Sequence, residues 1–357
     1  MKILYLSHID WLWIKQRPQF LAEELSKYHD VDVYYQPSFR KSNLQSKSSL
    51  LDTYKLFKLP LKNKFSILFF INNLIQKTYI QYILDNNDYD LIYITHPEFY
   101  PIIKECNYDI VYDCMDDHEN FFSKSDVRHI RYSSYEKKIC NLDRVRILTS
   151  SNSLKDKISK FTNKEIKVVR NGLKDSFVLN IKTVPKNEVN ISKEKKIITY
   201  IGTIAEWFDF DLLNNTNNNE VEYHLYGPKE VDDSKFNNNI IYKGVLEHDE
   251  LADIAGNSDA LIMPFIVNDL IKSVDPVKLY EYISFNKPII CCFYDEISRF
   301  DNFVNFYHDS NSFSKIINDL ASCKLKLYKN EDALLFLSNS TWSSRGKSLN
   351  DIISKKQ

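Results

Sequence analysis

The feature that most constrains this chain is a double series of short apolar runs. Runs at 3–7, 31–35, 91–95, 110–113, 144–150 and 167–170 alternate with amphipathic stretches. A polar segment at 179–196, rich in Lys, Asn and Glu, then interrupts the pattern. The alternation restarts with runs at 197–202, 223–227, 240–244, 260–264 and 289–293. Strand–helix alternation is the mark of parallel α/β sheets, whose strands are apolar throughout because both faces are covered. At 357 residues, each series is long enough to build its own core. The chain is therefore expected to be α/β, with two domains.

Composition narrows the class. A hydrophobic share of 43% and a charged share of 27% are those of a globular protein in water. No stretch approaches the roughly 20 apolar residues that span a bilayer, and the opening Met1-Lys-Ile-Leu-Tyr-Leu reads as a strand rather than a signal segment. The six cysteines show no metal-ligand spacing, which fits free thiols in a reducing cytoplasm. With only six glycines, each is informative. Gly202, Gly227 and Gly244 each close an apolar run, as expected where backbone approaches a ligand at the carboxyl edge of a sheet. Turn punctuation is the plainer reading of any one of them. Neither half carries G-x-G-x-x-G, so dinucleotide-dependent hydride transfer loses its main support.

The stretch 273–290 carries the clearest local chemistry. Asp275 suits an N-cap and Pro276 the first helical position. Leu279 and Ile283 recur on one face, and Asn286 suits the left-handed residue that closes a helix. The open N-terminus is electropositive and favours phosphate. Lys278 adds charge in that first turn, and Glu281 lies three residues on along the same face. Phosphate donors and a carboxylate for sugar hydroxyls would then stand side by side. The plainer alternative is a capped helix with a surface ion pair.

In the first half, Cys114-Met-Asp-Asp-His-Glu119 follows a strand. Asp116, Asp117 and His118 are candidates for a general base, with helix or loop capping as the alternative. Asp113 and Asp116, or Asp116 and Asp117, could also hold a divalent ion. No further ligands cluster with them in the sequence, so neither metal nor cofactor is expected.

These motifs, in this order, resemble GT-B glycosyltransferases, and the resemblance spans nearly the whole chain. Tyr200-Ile-Gly-Thr resembles the strand and loop that open the donor domain. Tyr223-His-Leu-Tyr-Gly-Pro resembles its next strand and turn, and Tyr242-Lys-Gly-Val-Leu-Glu-His-Asp-Glu-Leu the segment beside the nucleotide base. Ser258–Phe265 and Lys278–Pro288 resemble later donor-domain motifs, the second holding a ribose-binding Glu. In the first half, Val169-Arg-Asn-Gly fits the family pattern. Tyr112-Asp-Cys-Met-Asp-Asp resembles a motif of bacterial polysaccharide and teichuronic-acid transferases. Trp342 and Arg345 resemble the ending that crosses back onto the first domain.

The resemblance implies two Rossmann-like domains facing across a cleft. Residues 1–178, completed by 338–357, would form the acceptor side, and 179–337 the donor side. Donor contacts would come from Gly202, Thr203, Tyr226, Gly227, Pro228, Val245, Leu246, Asp275, Pro276, Val277, Lys278 and Glu281. His8, Trp11, Arg17, His96 and Arg170 are candidate phosphate or acceptor contacts. Two departures stand out. Ser273 occupies the first position of the family-4 glutamate pair, and no cation follows Gly202-Thr-Ile-Ala-Glu. Diphosphate charge would then fall on the helix N-terminus and Lys278.

The implied activity is metal-independent transfer of a sugar from a nucleotide diphosphate, UDP-linked by expectation, to a saccharide or lipid-linked saccharide in cell-surface polysaccharide synthesis. A nucleotide-sugar epimerase of the same fold and a degenerate binding subunit are the alternatives. Between Arg40 and Tyr82, eight Lys/Arg face one acid, Asp52, a net of +7. Within 54–83, Lys55, Lys58, Lys62, Lys64 and Lys77 interleave with Phe57, Phe65, Phe69 and Phe70. Lysines for anionic headgroups and aromatics for the acyl boundary would place the protein on the inner face of the cell membrane. A helix pair with solvated lysines is the alternative. No nucleic-acid motif accompanies the positive stretch.

Overall fold

In the computed structural model, the structure describes residues 1–39, 51–183, 195–216, 220–246, 250–325 and 327–355. The chain divides into two compact units, Met1–Asn171 with Trp342–Gln357, and Gly172–Thr341. Residues 172–178 thus pack with the second unit, whereas the polar linker had placed the division after 178.

The first unit contains a parallel sheet of seven strands. These are β1 (Lys2–Ser7), β2 (Asp30–Tyr35), β3 (Thr53–Lys55), β4 (Leu91–Ile94), β5 (Asp109–Cys114), β6 (Val145–Thr149) and β7 (Ile166–Val168). Their order is β3-β2-β1-β4-β5-β6-β7. The second unit contains a parallel sheet of six strands. These are β8 (Lys196–Ile201), β9 (Val221–Tyr226), β10 (Ile240–Gly244), β11 (Ala260–Met263), β12 (Ile289–Cys292) and β13 (Val304–Tyr307), ordered β10-β9-β8-β11-β12-β13. Each sheet reverses its winding beside its first strand, at β1/β4 and at β8/β11. Ligands of open α/β sheets bind at the carboxyl ends of such switch points.

Central strands are apolar without alternation because helices cover both faces. β4 and β11 are buried at every position. Tyr5 of β1 stacks on Tyr93 of β4 at 4.6 Å, and its hydroxyl donates to the Pro18 carbonyl. The helix Arg17–Leu25 is tied to β5 by a buried ion pair. Arg17 donates from Nε to Asp113 Oδ2 at 3.0 Å and from Nη2 to Oδ1 at 2.8 Å.

Several elements depart from expectation. β3 extends the sheet edge before the helix Ser66–Asp85 and was not anticipated. β13 and the helix Ser310–Ala321 were not anticipated. Two helices, Asn330–Ser338 and Trp342–Ile353, end the chain's described elements. The second returns to the first unit, where Trp342 stacks on Phe20 at 4.8 Å. Gly346 lies so close to the helix Arg17–Leu25 that an added Cβ would stand 2.3 Å from Glu24 Cβ. A short helix spans Leu251–Asn257, and 217–219 and 247–249 lie outside the described residues, as does most of the polar segment 179–196.

Candidate active site

The second unit brings its strand-end glycines together. Gly202 N–H donates to the Tyr226 carbonyl and Gly227 N–H to the Gly244 carbonyl. Gly227 has φ +131, and a Cβ there would stand 2.1 Å from the Gly202 oxygen. Any larger residue would break this loop. Thr203 and Pro228 join the same turn pair. The Thr203 carbonyl accepts from Tyr200, and the Pro228 carbonyl from Ile204 N–H. Tyr226 is half-buried and Val245 exposed.

The helix Val277–Ser284 lies beside this loop. Tyr282 Oη accepts from Ile201 N–H at 2.9 Å, which pins the helix to the end of β8. Lys278 leans over the glycine, its Cε 3.1 Å from where a Gly202 Cβ would stand. Lys278 Nζ donates to Glu281 Oε2 at 3.2 Å, and both side chains are partly exposed. The structure thus brings Gly202, Gly227, Lys278 and Glu281 together at the end of β8. Asn286 closes the helix at φ +53, as expected.

Asp275 does not act as the expected cap. The helix begins at Val277 with Pro276 as its N-cap, and Asp275 is buried. Its carboxylate pairs with Arg299 and accepts from the Tyr280 hydroxyl. A cation 24 residues further on outcompetes the local backbone for it. Ser273, buried, donates to the Leu270 carbonyl at 2.7 Å.

The first unit gathers a second polar group at the ends of β1, β4 and β5. His8, His96 and His118 follow these strands in turn. Ring centroids are 4.6 Å apart for His8–His96, 5.3 Å for His8–His118 and 4.3 Å for His96–His118. Burial holds all three imidazoles neutral, pushing His8 down to about 4 and the other two well below the usual range. The sequence placed these residues apart, and only the order β1-β4-β5 assembles them.

Beside them the candidate bases separate by role. Asp117 is buried and accepts from Lys157 at 2.6 Å. Lys157 also pairs with Glu119 and with buried Glu136, which accepts from the Tyr112 hydroxyl. Asp117 therefore anchors its loop. Asp116, between buried and exposed, takes no hydrogen bond at its carboxylate from any described residue. Burial pushes it up to about 7, against Arg17 and aided by Asp113 and Asp117. A carboxyl with open lone pairs and a raised pKa can accept a proton from a hydroxyl.

Other candidates are committed elsewhere. Trp11 is core, meeting Tyr5 edge-on at 6.3 Å. Arg17 is buried against Asp113 and also donates to Asn171 Oδ1, so it holds the frame rather than facing a ligand. Arg170 is half-buried just after β7. A pair that sequence reasoning missed is Lys62 with Glu98, both buried. Lys62 also donates to Gln36 Oε1. Lys62 had been placed among the membrane-facing lysines; the structure turns it inward, and Phe69 with it.

No family model matches the chain, and no curated protein matches it by sequence. Solved structures do. Sucrose-phosphate synthase from Thermosynechococcus elongatus superposes with a TM-score of 0.71 at 12% identity, over 99% of this chain and 98% of that one. WaaG, a glycosyltransferase involved in lipopolysaccharide biosynthesis, gives 0.70 at 12% identity over 99% and 100%. Anabaena HepE, in complex with UDP and glucose, gives 0.67 at 12% identity over the full length of both chains. At these identities the likeness establishes the fold, and the fold is GT-B.

Proposed function

We propose that this chain is a glycosyltransferase that moves a sugar from a nucleotide diphosphate donor, UDP-linked, to a hydroxyl of a saccharide or lipid-linked saccharide. The observation that carries the reading is the joining of Gly202, Gly227, Lys278 and Glu281 at the β8/β11 switch point of a GT-B unit. The solved HepE complex with UDP and glucose supports the donor class. Helix N-terminus, backbone N–H groups and Lys278 would stabilise the leaving diphosphate without an ion at that position. Glu281 would release Lys278 and accept from ribose hydroxyls. On the first unit, Asp116 would take the proton of the acceptor hydroxyl. The hydroxyl oxygen then attacks the anomeric carbon as its bond to the diphosphate breaks, which releases UDP.

Glu281→Ala is expected to weaken UDP binding by about 1–3 kcal/mol, the cost of unpaired hydroxyl partners. Lys278→Ala should weaken UDP more than uridine. Titration calorimetry of both ligands checks this, and unchanged UDP affinity in both variants would remove the donor assignment. UDP release that requires an acceptor marks transfer. Donor epimerisation would mark an epimerase, and nucleotide binding without turnover a binding subunit.

We further propose that this transferase works at an anionic membrane surface. The helix Ser66–Asp85 buries Phe69, Ile80 and Leu84 but also polar side chains, and leaves large apolar ones outside. Asn72 and Gln76 are buried, holding the Leu59 N–H and the Phe57 carbonyl, while Ile67, Phe70, Ile71 and Leu74 are exposed along one stripe. Phe57, Leu61 and Phe65 extend the exposed apolar surface, and exposed Lys55 and Lys64 flank it. An apolar face rimmed by lysines fits a headgroup boundary. Among the described residues no helix is long and apolar enough to cross a membrane, so attachment would be peripheral. Co-sedimentation with anionic vesicles is expected at low salt, reduced at high salt and abolished in Ile67→Ser/Phe70→Ser/Leu74→Ser. A parent chain that ignores the vesicles would overturn this reading.

A further inference from the structure

The histidine cluster of the first unit does more than fill space. One ring nitrogen of each of His8, His96 and His118 lies within 4.8 Å of the other two. His118 is 4% exposed, and its Nε2 has no hydrogen-bond partner. A buried polar atom left unpaired is costly unless a ligand completes it.

We propose that His8, His96 and His118 form a binding site for a divalent transition-metal ion of the zinc class, with a fourth position open to an oxygen ligand.

The ligand set selects the ion. Three imidazoles suit zinc, cobalt or nickel, whereas magnesium and calcium demand oxygen ligands. Zn–N bonds of about 2.0–2.1 Å in tetrahedral array put the nitrogens about 3.4 Å apart. The rings must therefore close by an ångström or so, within the reach of small side-chain rotations. The outer partners are in place. His8 Nδ1 meets Thr95 Oγ1 at 2.9 Å, and that hydroxyl can pass its own hydrogen to the Leu6 carbonyl. Thr95, just after β4, thus orients the His8 ring. Partners of this kind on the second ring nitrogen are what metal-bound histidines carry. His96 is the ligand whose present bond must yield. Its Nδ1 accepts from Glu98 N–H at 3.0 Å, and ligation through the opposite nitrogen requires the proton to shift to Nδ1. The three-metal-ligand pattern of open catalytic sites leaves one coordination position for an oxygen donor, and the site borders Asp116 in sequence. The three histidines belong to the first unit and the donor loop to the second, and occupancy of the site can be measured whether or not the chain transfers sugar.

The test uses the full chain, stripped with a chelator and dialysed against buffered Zn2+ or Co2+. Elemental analysis should return one ion per chain, and the Co2+ form should show ligand-field absorption of a nitrogen-ligated, low-coordinate ion. His118→Gln, near in shape and checked for folding by circular dichroism, should lose at least tenfold in affinity, as should His8→Gln. His308→Gln, at an exposed histidine elsewhere, should bind like the parent. A parent that retains no ion after dialysis, or a His118→Gln variant that binds as well as the parent, would overturn the site. Binding of Mg2+ but not Zn2+ would overturn the assigned class.

Discussion

Asp116→Asn is expected to lower kcat by about 10²–10⁴, the usual contribution of a positioned general base, while the chain folds as well as the parent. Both halves follow from its surroundings. No described residue donates to its carboxylate, so the amide removes no structural bond. The neighbouring Asp117→Asn should do the reverse. It weakens the Lys157 cluster that also holds Glu119 and buried Glu136, so stability falls before rate does. The contrast is the test. Steady-state kinetics with thermal unfolding on both variants should separate a rate defect in one from a folding defect in the other. UDP affinity should survive in Asp116→Asn, because the residues proposed to hold the donor belong to the other unit. An Asp116→Asn enzyme with parental kcat would end its assignment as base.

The second large effect concerns Arg17. Arg17→Ala is expected to destabilise the chain by about 3–5 kcal/mol, because it leaves the Asp113 carboxylate buried and uncompensated. Asp113 is fully buried, and Arg17 is 4% exposed. Arg17→Met with Asp113→Leu should recover much of the loss, since removing both charges also removes the desolvation penalty. Urea unfolding of the two singles and the double makes the cycle. If Arg17→Ala instead kept its stability and lost UDP or acceptor affinity, the residue would be the phosphate or acceptor contact first expected.

Much of the fold could be read from residues alone because its signals are local. Strands covered on both faces are apolar end to end, and glycines mark their carboxyl ends. The elements that were missed lack such marks. β3 is three residues long and half-exposed at an edge, and β13 carries partly exposed Asn305 and Phe306 in its middle. The sites divide in the same way. Lys278 and Glu281 share one helix turn, so spacing alone placed them together. Asp275 looked like a cap by every local rule, yet Arg299 claims it. Lys62 looked like one of the surface lysines for anionic headgroups until Glu98, 36 residues away, met it in the interior. The three histidines are at positions 8, 96 and 118, and no spacing rule connects them. Parallel order brings together strand ends that the chain separates, and that information is tertiary.

The return of the helix Trp342–Ile353 to the first unit bears on how the chain acquires its shape during synthesis. The ribosome makes all six strands of the second sheet before the helix that packs on Arg17–Leu25. A second unit can therefore close while the first still waits with Phe20 and Glu24 uncovered. Topologically the later unit is an insertion into the earlier one. A nascent chain arrested before Trp342 should present a folded second unit beside a first unit prone to chaperone capture and proteolysis, the opposite of the vectorial order in which amino-terminal domains mature first.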